Sequence, residues 1–386
     1  MFSKIVTFIN FFLSVYDLIR LNFFILFNKI FYPKKKIIFI YHPTRSLTLN
    51  NKNYLEQLFN DYGKDYLIIN GNQISTIREK SYFYIFNNFF LNFIFGINIF
   101  FTTYISDDFT PNSIRVYMHH DIYDTPLVNN KKLYEFYNRV IKYNYLFLPN
   151  KQSLKMFENL FAKFNENKVD KIPELFETGY YKLDFLNDKK TFYKIKENQN
   201  IIIAPTNFLI WPEFCINNLE EVIATLLRET KYKIIYRPHP SNWKHPDVIN
   251  VIKKFSKFEK FKYDNSIDYF EIYLNSKCMI TDLSGTAYTY SFFTKKPVIF
   301  FSQNEKLLNN LNYDKLSYFK DREKIGFLYE NLSGLVNSVL NIKNGDYDKK
   351  NSIESLENNF TYLGKTKDRT KNLIDDILIK IYGKKT

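Results

Sequence analysis

Short apolar runs of four to seven residues alternate with longer mixed segments along most of this chain. Each run has the length of a β-strand, and each mixed segment is long enough for a helix. Strands that alternate with helices form parallel sheets, so the pattern predicts an α/β fold built from βα repeats. The predicted strands are 37–41, 66–70, 97–103, 115–119, 145–148, 201–204, 233–236, 260–263, 278–281 and 297–301.

The length of the chain indicates two such domains. Its 386 residues are too many for one ordinary domain, at roughly 150 residues per domain. We expect two doubly wound, Rossmann-like domains that face each other across a cleft, over residues 34–190 and 200–365. The polar segment 187–200 has no apolar period and is interpreted as the linker. Residues 1–33 and 366–386 are predicted to form flanking helices.

Composition limits the classes of function. Hydrophobic residues make up 45% and charged residues 24%, which is typical of a globular chain and excludes a disordered one. The net charge of +14 favours an anionic partner such as a membrane surface or a phosphorylated substrate. The basic residues are dispersed without a nucleic-acid-binding motif, so no nucleic acid partner is expected. Cys215 and Cys278 are too few for a disulfide framework or a zinc site, which fits a reduced, cytosolic compartment.

A narrow polar stripe runs along the first 17 residues of a predicted helix whose other positions there are mostly apolar. The uncharged run 5–16 is shorter than the roughly 20 residues that span a bilayer, and no signal-peptide cleavage site follows it. Lysines at 34–36 come next. The pattern predicts an amphipathic helix in the membrane interface, and the alternative is a helix packed on the protein's own core. The polar stripe consists of Ser3, Thr7, Asn10, Ser14 and Asp17.

A second apolar stretch, residues 81–106, holds no charged residue over 26 positions. Its length would allow it to span a membrane. Four asparagines lie within it, and its C-terminal half has the composition of a strand. We therefore predict a buried helix followed by a buried strand, with a membrane span as the alternative.

Polar motifs follow the strands of the second domain, where ligands of parallel sheets bind. Arg237 and His239, in an Arg-Pro-His-Pro turn, follow strand 233–236. The arginine fork suits phosphate oxygens, and the histidine can donate a hydrogen bond or move a proton. The alternative is a rigid surface turn with incidental charge.

The strand at 278–281 leads into a second polar motif. Asp282 is followed by Ser284, Gly285 and Thr286, and these three would present N–H groups and hydroxyls at a helix N-terminus. Such a terminus binds anions, although an ordinary capped helix start has the same composition. Together with the Arg-Pro-His-Pro turn, the motif suggests a pyrophosphate site in the second domain.

In the first domain, strand 115–119 ends at two histidines. His119 or His120 is our candidate general base, facing the second domain across the cleft. One alternative is a metal site that adds Asp121 and Asp124, although adjacent strand residues point to opposite faces. Another is a structural role in the core.

Two further segments are weaker candidates. His42-Pro43-Thr44-Arg45 follows the first strand and would line the cleft. Asp107-Asp108 resembles the metal-binding acidic pair of sugar-nucleotide transferases but is interpreted as a cap between strand and loop.

Five segments in order resemble the CDP-glycerol glycerophosphotransferase family, which makes teichoic acids and related capsule polymers. The family patterns are Trp-His-Gly-Thr-Pro-Leu, Thr-Gly-Tyr-Pro-Arg-Asn-Asp, Ala-Pro-Thr-Trp, Arg-x-His-Pro, and Thr-Asp-Tyr-Ser-Ser continuing to Lys-Pro-Val-Ile-Phe. The corresponding segments here are 118–127, 177–184, 204–206, 237–240 and 281–300. Extra residues interrupt the first pattern, Gly285 replaces the second Ser of the pair, and Thr289 stands at an acidic position.

The resemblance implies a GT-B architecture, donor binding mainly by the C-terminal domain, and no required metal or other cofactor. It implies transfer of glycerol phosphate or a related polyol phosphate from a CDP-activated donor to a hydroxyl of a lipid-linked or surface-glycan acceptor, with release of CMP. The expected location is peripheral, at the cytoplasmic face of the plasma membrane, in a capsule or surface-glycan branch. The alternatives are a GT-B glycosyltransferase that uses a CMP- or UDP-sugar, and a membrane-bound scaffold with a degenerate site.

Implied site residues fall into two groups. His119, His120 and His239 are the catalytic candidates. The donor's phosphates are assigned to Arg237, Asp282, Ser284, Gly285 and Thr286.

Overall fold

The computed structural model describes residues 2–42, 54–73, 83–123, 130–166, 171–193, 200–208, 216, 218–266, 269–301, 305, 316–342 and 349–383. Two parallel sheets form the centres of two domains, as the alternation of strands and helices predicts. Within the described residues, the first sheet has seven strands in the order β3-β2-β1-β4-β5-β6-β7, and the second has six in the order β10-β9-β8-β11-β12-β13. In both sheets the strand order reverses beside the first strand, at β1/β4 and at β8/β11, so both are doubly wound.

The strands of the first sheet are β1 Lys36–His42, β2 Tyr66–Gln73, β3 Phe83–Ile85, β4 Ile99–Thr102, β5 Ile114–Met118, β6 Tyr145–Leu148 and β7 Glu174–Glu177. Those of the second are β8 Asn200–Ile203, β9 Lys233–Tyr236, β10 Phe261–Tyr263, β11 Ser276–Thr281, β12 Val298–Phe301 and β13 Gly326–Tyr329.

The α-helices whose full bounds the structure describes are α1 Phe2–Phe31, α2 Asn130–Val140, α3 Lys151–Phe164, α4 Tyr181–Lys189, α5 Leu219–Glu229, α6 Pro246–Phe255, α7 Phe270–Leu274, α8 Thr286–Thr294, α9 Ser317–Lys320, α10 Arg322–Ile325, α11 Leu332–Asn341, α12 Lys350–Glu357 and α13 Thr366–Tyr382. Short 3₁₀ segments cover Asn60–Lys64, Asn88–Phe93, Lys190–Phe192 and Pro240–Asn242. Helix α4 extends to Lys189, inside the segment that the sequence assigns to the linker.

All ten predicted strands are present, and the three that the sequence does not predict are β3, β7 and β13. Each of these three lies at the edge of its sheet. A central strand is buried on both faces and is therefore a continuous apolar run, whereas an edge strand is shorter and more polar. Strand β7, with the sequence Glu-Leu-Phe-Glu, has no fully buried residue.

The prediction of a buried helix within residues 81–106 is wrong. The described part of that stretch forms strand β3, the 3₁₀ segment Asn88–Phe93 and strand β4. Asn87 is in an extended conformation, which separates the short strand from the 3₁₀ turn. The predicted strand in its C-terminal half is present as β4.

Helix α1 turns the C-terminal end of its polar stripe toward the protein, whereas Thr7 of the same stripe is exposed. Ser14 and Asp17 are buried, and the Asp17 carboxylate accepts a hydrogen bond from the Tyr84 amide at 3.3 Å. Further along, the Asn22 side-chain amide donates to the Phe93 carbonyl at 2.9 Å. The opposite, apolar side is exposed, through Phe8, Ile9, Phe12, Tyr16, Ile19, Phe23, Leu26, Phe27, Ile30 and Phe31. Of the described helices, this is the one long and apolar enough to cross a membrane, judged by length and composition.

Side chains alternate between two apolar layers in each sheet. In β1, Ile38 and Ile40 join a buried cluster that extends into the second domain, whereas Ile37 and Phe39 face a cluster confined to the first domain. The shared cluster joins the two domains. Across it the Tyr123 ring stacks on Tyr288 of α8, with centroids 4.4 Å apart.

The C-terminal segment returns to the first domain. The Glu177 carboxylate accepts hydrogen bonds from Thr361, and the Asp184 carboxylate accepts from the Gly364 and Thr366 amides. Gly179 has a φ of +90°, and a β-carbon there would lie 2.4 Å from the Thr366 hydroxyl, so only glycine fits beneath this crossing. Helix α13 therefore packs on the first domain.

Candidate active site

The carboxyl ends of the two sheets face a common cavity of about 210 Å³. Both domains contribute to its walls, as the sequence predicts for two doubly wound domains. From the first domain come Tyr104, His120, Asp121, Ile122, Tyr180 and Lys182. The main polar contributions of the second domain are Arg237, His239, Ser284, Gly285, Thr286 and Thr289.

The structure separates the two adjacent histidines. His119 is buried beneath the cavity, where its Nδ1 lies 3.1 Å from the Tyr117 hydroxyl and its ring meets the edge of Phe157. Burial lowers the pKa of His119 to about 4, so its imidazole is neutral. His120 instead lines the cavity and stacks on Tyr104, with ring centroids 4.7 Å apart. Of the pair, His120 is therefore the one in a position to meet a substrate.

Asp121 connects the first domain to the helix terminus of the second. One carboxylate oxygen lies 3.7 Å from Nε2 of His120. The same oxygen would lie 3.8 Å from a β-carbon on Gly285, which is an ordinary van der Waals distance. Gly285, which replaces the family's second serine, therefore lies beside this carboxylate. The sequence suggests Asp121 only as a metal ligand.

His239 presents one ring nitrogen to the cavity. Its Nδ1 accepts a hydrogen bond from the Ser241 amide at 3.2 Å, which leaves the proton of the neutral ring on Nε2. Burial lowers the pKa of His239 to about 4, with Asp121 opposing the shift. The ring is therefore neutral at physiological pH, and its Nε2–H is a hydrogen-bond donor that does not titrate there.

The Arg237 guanidinium is already held by the protein. It forms a buried ion pair with Asp264, donates to the Ser266 carbonyl at 3.0 Å and stacks over Tyr269 at 4.4 Å. These contacts fix the guanidinium plane at the cavity wall. Its charge is shared with Asp264, so Arg237 alone does not supply a full positive charge to a bound anion.

Lys182 supplies a second cation that the sequence reasoning missed. Its ammonium group lies 5.4 Å from the centroid of the Tyr54 ring and 5.6 Å from that of Tyr269, within cation–π range of both. Burial opposes the charge, but Tyr269 and Tyr180 offset it, and the net pKa of Lys182 lies above its ordinary value. No ion pair to a carboxylate is found for Lys182 in the described part of the chain. The first domain therefore brings a charged ammonium group to the cavity.

Helix α8 begins at the cavity wall, as predicted. Ser284, Gly285 and Thr286 line the cavity, and Gly285 is the N-cap of the helix. Thr286 is fixed by a 2.7 Å hydrogen bond between its hydroxyl and that of Tyr273. The free amides and the dipole at this terminus favour an anion.

Asp282 lies below the cavity wall. It is fully buried, and one of its oxygens accepts hydrogen bonds from the Thr206 and Leu283 amides at 2.8 and 2.6 Å. Burial raises the pKa of Asp282 to about 7. The side chain ties the turn after β8 to the turn after β11 and does not line the cavity, unlike the other residues that the sequence assigns to the donor's phosphates.

The weaker sequence candidates lie elsewhere. His42 is buried at the end of β1 and does not line the cavity, and residues 43–45 are outside the described residues. Asp107 pairs with Arg139 at 2.9 Å on the surface, in keeping with a loop cap. Asp124 and the Thr125-Pro126-Leu127 segment are also outside the described residues. Among the residues that are described, no three histidine, cysteine or acidic side chains form a metal-binding group.

A larger cavity of about 1010 Å³ lies between α5 and α6 in the second domain and shares Pro205 with the first one. Its acidic lining residues, Glu220, Glu221 and Asp247, outnumber its one lysine, Lys254. His245 there accepts a hydrogen bond from the Asp247 amide and caps α6. An anionic pyrophosphate is therefore better matched by the smaller, cationic cavity between the domains.

Comparison with known proteins identifies the family of the chain. A sequence model of the family described as CDP-Glycerol:Poly(glycerophosphate) glycerophosphotransferase matches residues 116–376, more than half of the chain. The chain belongs to this family. The matched region includes every residue of the cavity except Tyr104.

Two curated relatives come from teichoic acid synthesis. The minor teichoic acid biosynthesis protein GgaB of Bacillus subtilis is 31% identical over 160 residues, which is 40% of this chain and 16% of GgaB. A teichoic acid poly(glycerol phosphate) polymerase of Staphylococcus epidermidis is 24% identical over 249 residues, which is 58% of this chain and 32% of the polymerase. The chain thus spans about a third or less of the relatives it matches.

Solved structures share the fold at lower identity. The wall teichoic acid polymerase TagF superposes with a TM-score of 0.63 at 18% identity, covering 91% of this chain and 90% of that one. A putative UDP-N-acetylglucosamine 2-epimerase from Listeria monocytogenes gives a TM-score of 0.62 at 14% identity, covering 91% and 99%. These likenesses confirm the predicted arrangement of two doubly wound domains.

The Thr-Gly-Tyr segment that this chain shares with its family supports the backbone at His120. The Tyr180 hydroxyl donates to the His120 carbonyl at 3.1 Å, which fixes the backbone that carries the candidate base. Lys182 stands where the family pattern has arginine, two residues beyond Tyr180. Both residues are cationic, so this correspondence is the sequence feature that could identify Lys182 as a site residue.

Proposed function

We propose that this protein transfers glycerol phosphate from CDP-glycerol to a hydroxyl group of a teichoic acid or related surface-glycan acceptor and releases CMP. The observation that carries the proposal is the cavity in which His120 of one domain faces His239, Arg237 and the start of α8 in the other. Family membership supports the same chemistry. A structure of TagF soaked with CDPG, which superposes with a TM-score of 0.60, supports the choice of donor.

The second domain is proposed to hold the pyrophosphate of the donor. The N-terminus of α8 would bind one phosphate through its free amides, and the Nε2–H of His239 would donate to a phosphate oxygen. Arg237 and Lys182 border the same space from opposite domains. Together these groups would stabilise the charge that moves toward the bridging oxygen when the phosphoanhydride bond breaks.

His120 is proposed as the general base. The acceptor hydroxyl attacks the β-phosphorus, a new P–O bond forms, and the bond from the β-phosphorus to the bridging oxygen breaks. The electron pair of that bond leaves with CMP, and the hydroxyl proton passes to His120. Asp121, 3.7 Å from Nε2 of His120, would stabilise the imidazolium that forms. The capsule or surface-glycan branch expected from the sequence remains a prediction, whereas the named relatives belong to teichoic acid synthesis.

Nucleotide release tests the proposed reaction. The purified full-length protein in detergent is offered CDP-glycerol, CDP-ribitol, CMP-sugars and UDP-sugars with a lipid-linked glycan acceptor. We expect CMP from a CDP-polyol together with a new phosphodiester in the product. UDP from a UDP-sugar, or CMP from a CMP-sugar alone, with a new glycosidic bond, would establish the glycosyltransferase alternative instead. Failure to bind any of these nucleotides would favour the scaffold alternative.

His239→Ala is expected to lower the turnover of CDP-glycerol by about 10- to 100-fold, because a hydrogen bond to a charged group contributes about 1.5–3 kcal/mol. Since His239 is neutral above about pH 5, its loss should lower the rate by a similar factor across pH 6–8. The measurement is the pH profile of CMP release by both proteins. His245→Ala is the matched control, since His245 lies in the same domain outside this cavity. Equal losses in both variants would contradict the assignment.

We also propose that α1 lies in the membrane interface. The inner side of α1 packs Leu21 and Ile25 into the first-domain core and buries Ser14 and Asp17. Its outer side exposes a row of phenylalanines, which a helix packed only on its own core would bury. Its inner side contacts the domain at Asp17 and Asn22, near the middle of its length. A spanning helix would leave the domain, so these contacts favour a helix that lies along the bilayer surface. The bilayer is proposed to be the plasma membrane, on its cytoplasmic face.

Removing two exposed phenylalanines from α1 is expected to weaken binding to lipid vesicles by about 10- to 100-fold. Fully burying one phenylalanine contributes about 1.5–3 kcal/mol, and burial in an interface is partial. The variant is Phe23→Ser/Phe27→Ser, and the measurement is co-sedimentation with phosphatidylcholine vesicles. Phe192→Ser/Phe258→Ser is the control, since these two side chains are exposed outside α1. An equal loss in the control would show that α1 has no special part in binding.

A further inference from the structure

A cavity of about 450 Å³ lies at the opposite end of the first domain from the active site. It opens where β1 and β2 begin, at Lys36 and Tyr66, whereas the active site lies beyond the carboxyl ends of the strands. We call it the lysine cavity. Its walls hold Lys34, Lys35, Lys36, Lys64 and Lys371 with Asp65 and Asp375.

Five lysines against two aspartates leave the lysine cavity with a surplus of positive charge. Lys371 is paired with Asp65 at 2.9 Å and with Asp375 at 3.2 Å, so the two carboxylates converge on one lysine. Lys34 and Lys64 are exposed and form no ion pair within the part of the chain that the structure describes. The cavity therefore has cationic groups available for an anionic ligand.

Apolar surface borders the same cavity. Helix α1 ends at Phe31, three residues before Lys34, and its last turns expose Phe27, Ile30 and Phe31. On the other side, Ile379 and Tyr382 of α13 line the cavity and are partly exposed. A cationic hollow at the edge of an exposed apolar surface matches the boundary between acyl chains and phosphates in a bilayer.

We propose that the lysine cavity binds the phosphate headgroup of an anionic phospholipid while α1 lies in the adjoining interface. The charge of the cavity complements the headgroup, and the apolar rim from α1 and α13 complements the start of the acyl chains. The inference rests on the proposed membrane docking of α1 but not on the proposed chemistry. It gives the protein a preference for anionic membranes and fixes which end of the first domain faces the bilayer.

The test compares vesicles of phosphatidylcholine alone with vesicles containing about a third phosphatidylglycerol, using the full-length protein at one ionic strength. Lys34→Gln/Lys64→Gln is expected to weaken binding to the anionic vesicles by about fivefold per lysine and to leave binding to neutral vesicles unchanged. Lys253→Gln/Lys262→Gln, which removes two exposed lysines from the second domain, is the matched control and should have little effect. CMP release in detergent should be unchanged in both variants.

Three results would overturn the proposal. The first is an equal loss in both double variants, which would assign the preference to net charge. The second is an equal loss on neutral and anionic vesicles. The third is a loss of inorganic phosphate binding in Lys34→Gln/Lys64→Gln without any loss of binding to anionic vesicles, which would make the cavity a site for free phosphate. Absence of binding to neutral vesicles would instead count against the docking of α1, so the two failures are distinguishable.

Discussion

His120→Ala is expected to lower the rate of CMP release from CDP-glycerol by about 10²–10⁴-fold, the usual contribution of a general base. His120 lines the cavity between the domains, and its ring is stacked on Tyr104 and faces Asp121. Its loss removes the proton acceptor while Arg237, His239 and α8 still hold the donor. Donor affinity should therefore change little, and added imidazole should restore part of the rate. The measurement is kcat and KM for CDP-glycerol at saturating acceptor.

His119→Ala provides the contrast. Because His119 is buried against Phe157 and bonded to the Tyr117 hydroxyl, its loss should lower thermal stability more than turnover. In the folded protein its pKa is about 4, below the ordinary value of about 6.5, so the unfolded chain binds more protons between these values. Stability should fall as pH drops from about 6.5 to 4, and less steeply in His119→Ala. If His120→Ala kept near-full activity, His120 would not be the general base.

The sequence predicts the central strands because they are buried on both faces and therefore continuously apolar. Because a central strand is apolar on both faces, the sequence does not show which face of β5 meets the second domain. Val116 and Met118 face the interdomain cluster, and Tyr117 faces the other one, yet all three are apolar or aromatic. Alternation along a strand places the histidines on opposite faces but does not say which of them faces the active site. Only the packing of the second domain decides that His120 does.

The sequence does not predict Lys182 as a site residue because it does not predict strand β7. Ligand-binding residues of parallel sheets follow the strands, and Lys182 lies five residues after β7 ends at Glu177. Because β7 is a short edge strand with charged ends, its pattern does not indicate a strand, and the sequence does not mark the segment after it as a site. The Arg-Pro-His-Pro turn and the start of α8 follow the apolar strands β9 and β11, and both were identified.

Lys182→Met is expected to lower kcat/KM for CDP-glycerol by about 10²–10³-fold, similar to the loss of one charge-stabilising donor in a desolvated site. Methionine retains most of the aliphatic volume between Tyr54 and Tyr269, so the change removes the charge with little loss of packing. Since Arg237 shares its charge with Asp264, the remaining site would hold a pyrophosphate with insufficient positive charge.

Calorimetry with CDP and with cytidine separates a phosphate-binding role from a structural one. Binding of CDP should weaken in Lys182→Met, whereas binding of cytidine, which has no phosphate, should not. Lys182→Arg, which restores the family's residue at this position, should recover most of the activity because arginine keeps both the charge and the cation–π contacts. Lys189→Met, on the exposed end of α4, is the control. If cytidine binding fell as much as CDP binding, Lys182 would be holding the aromatic wall in place, and the positive charge that the reaction requires would have to come from Arg237 and the N-terminus of α8.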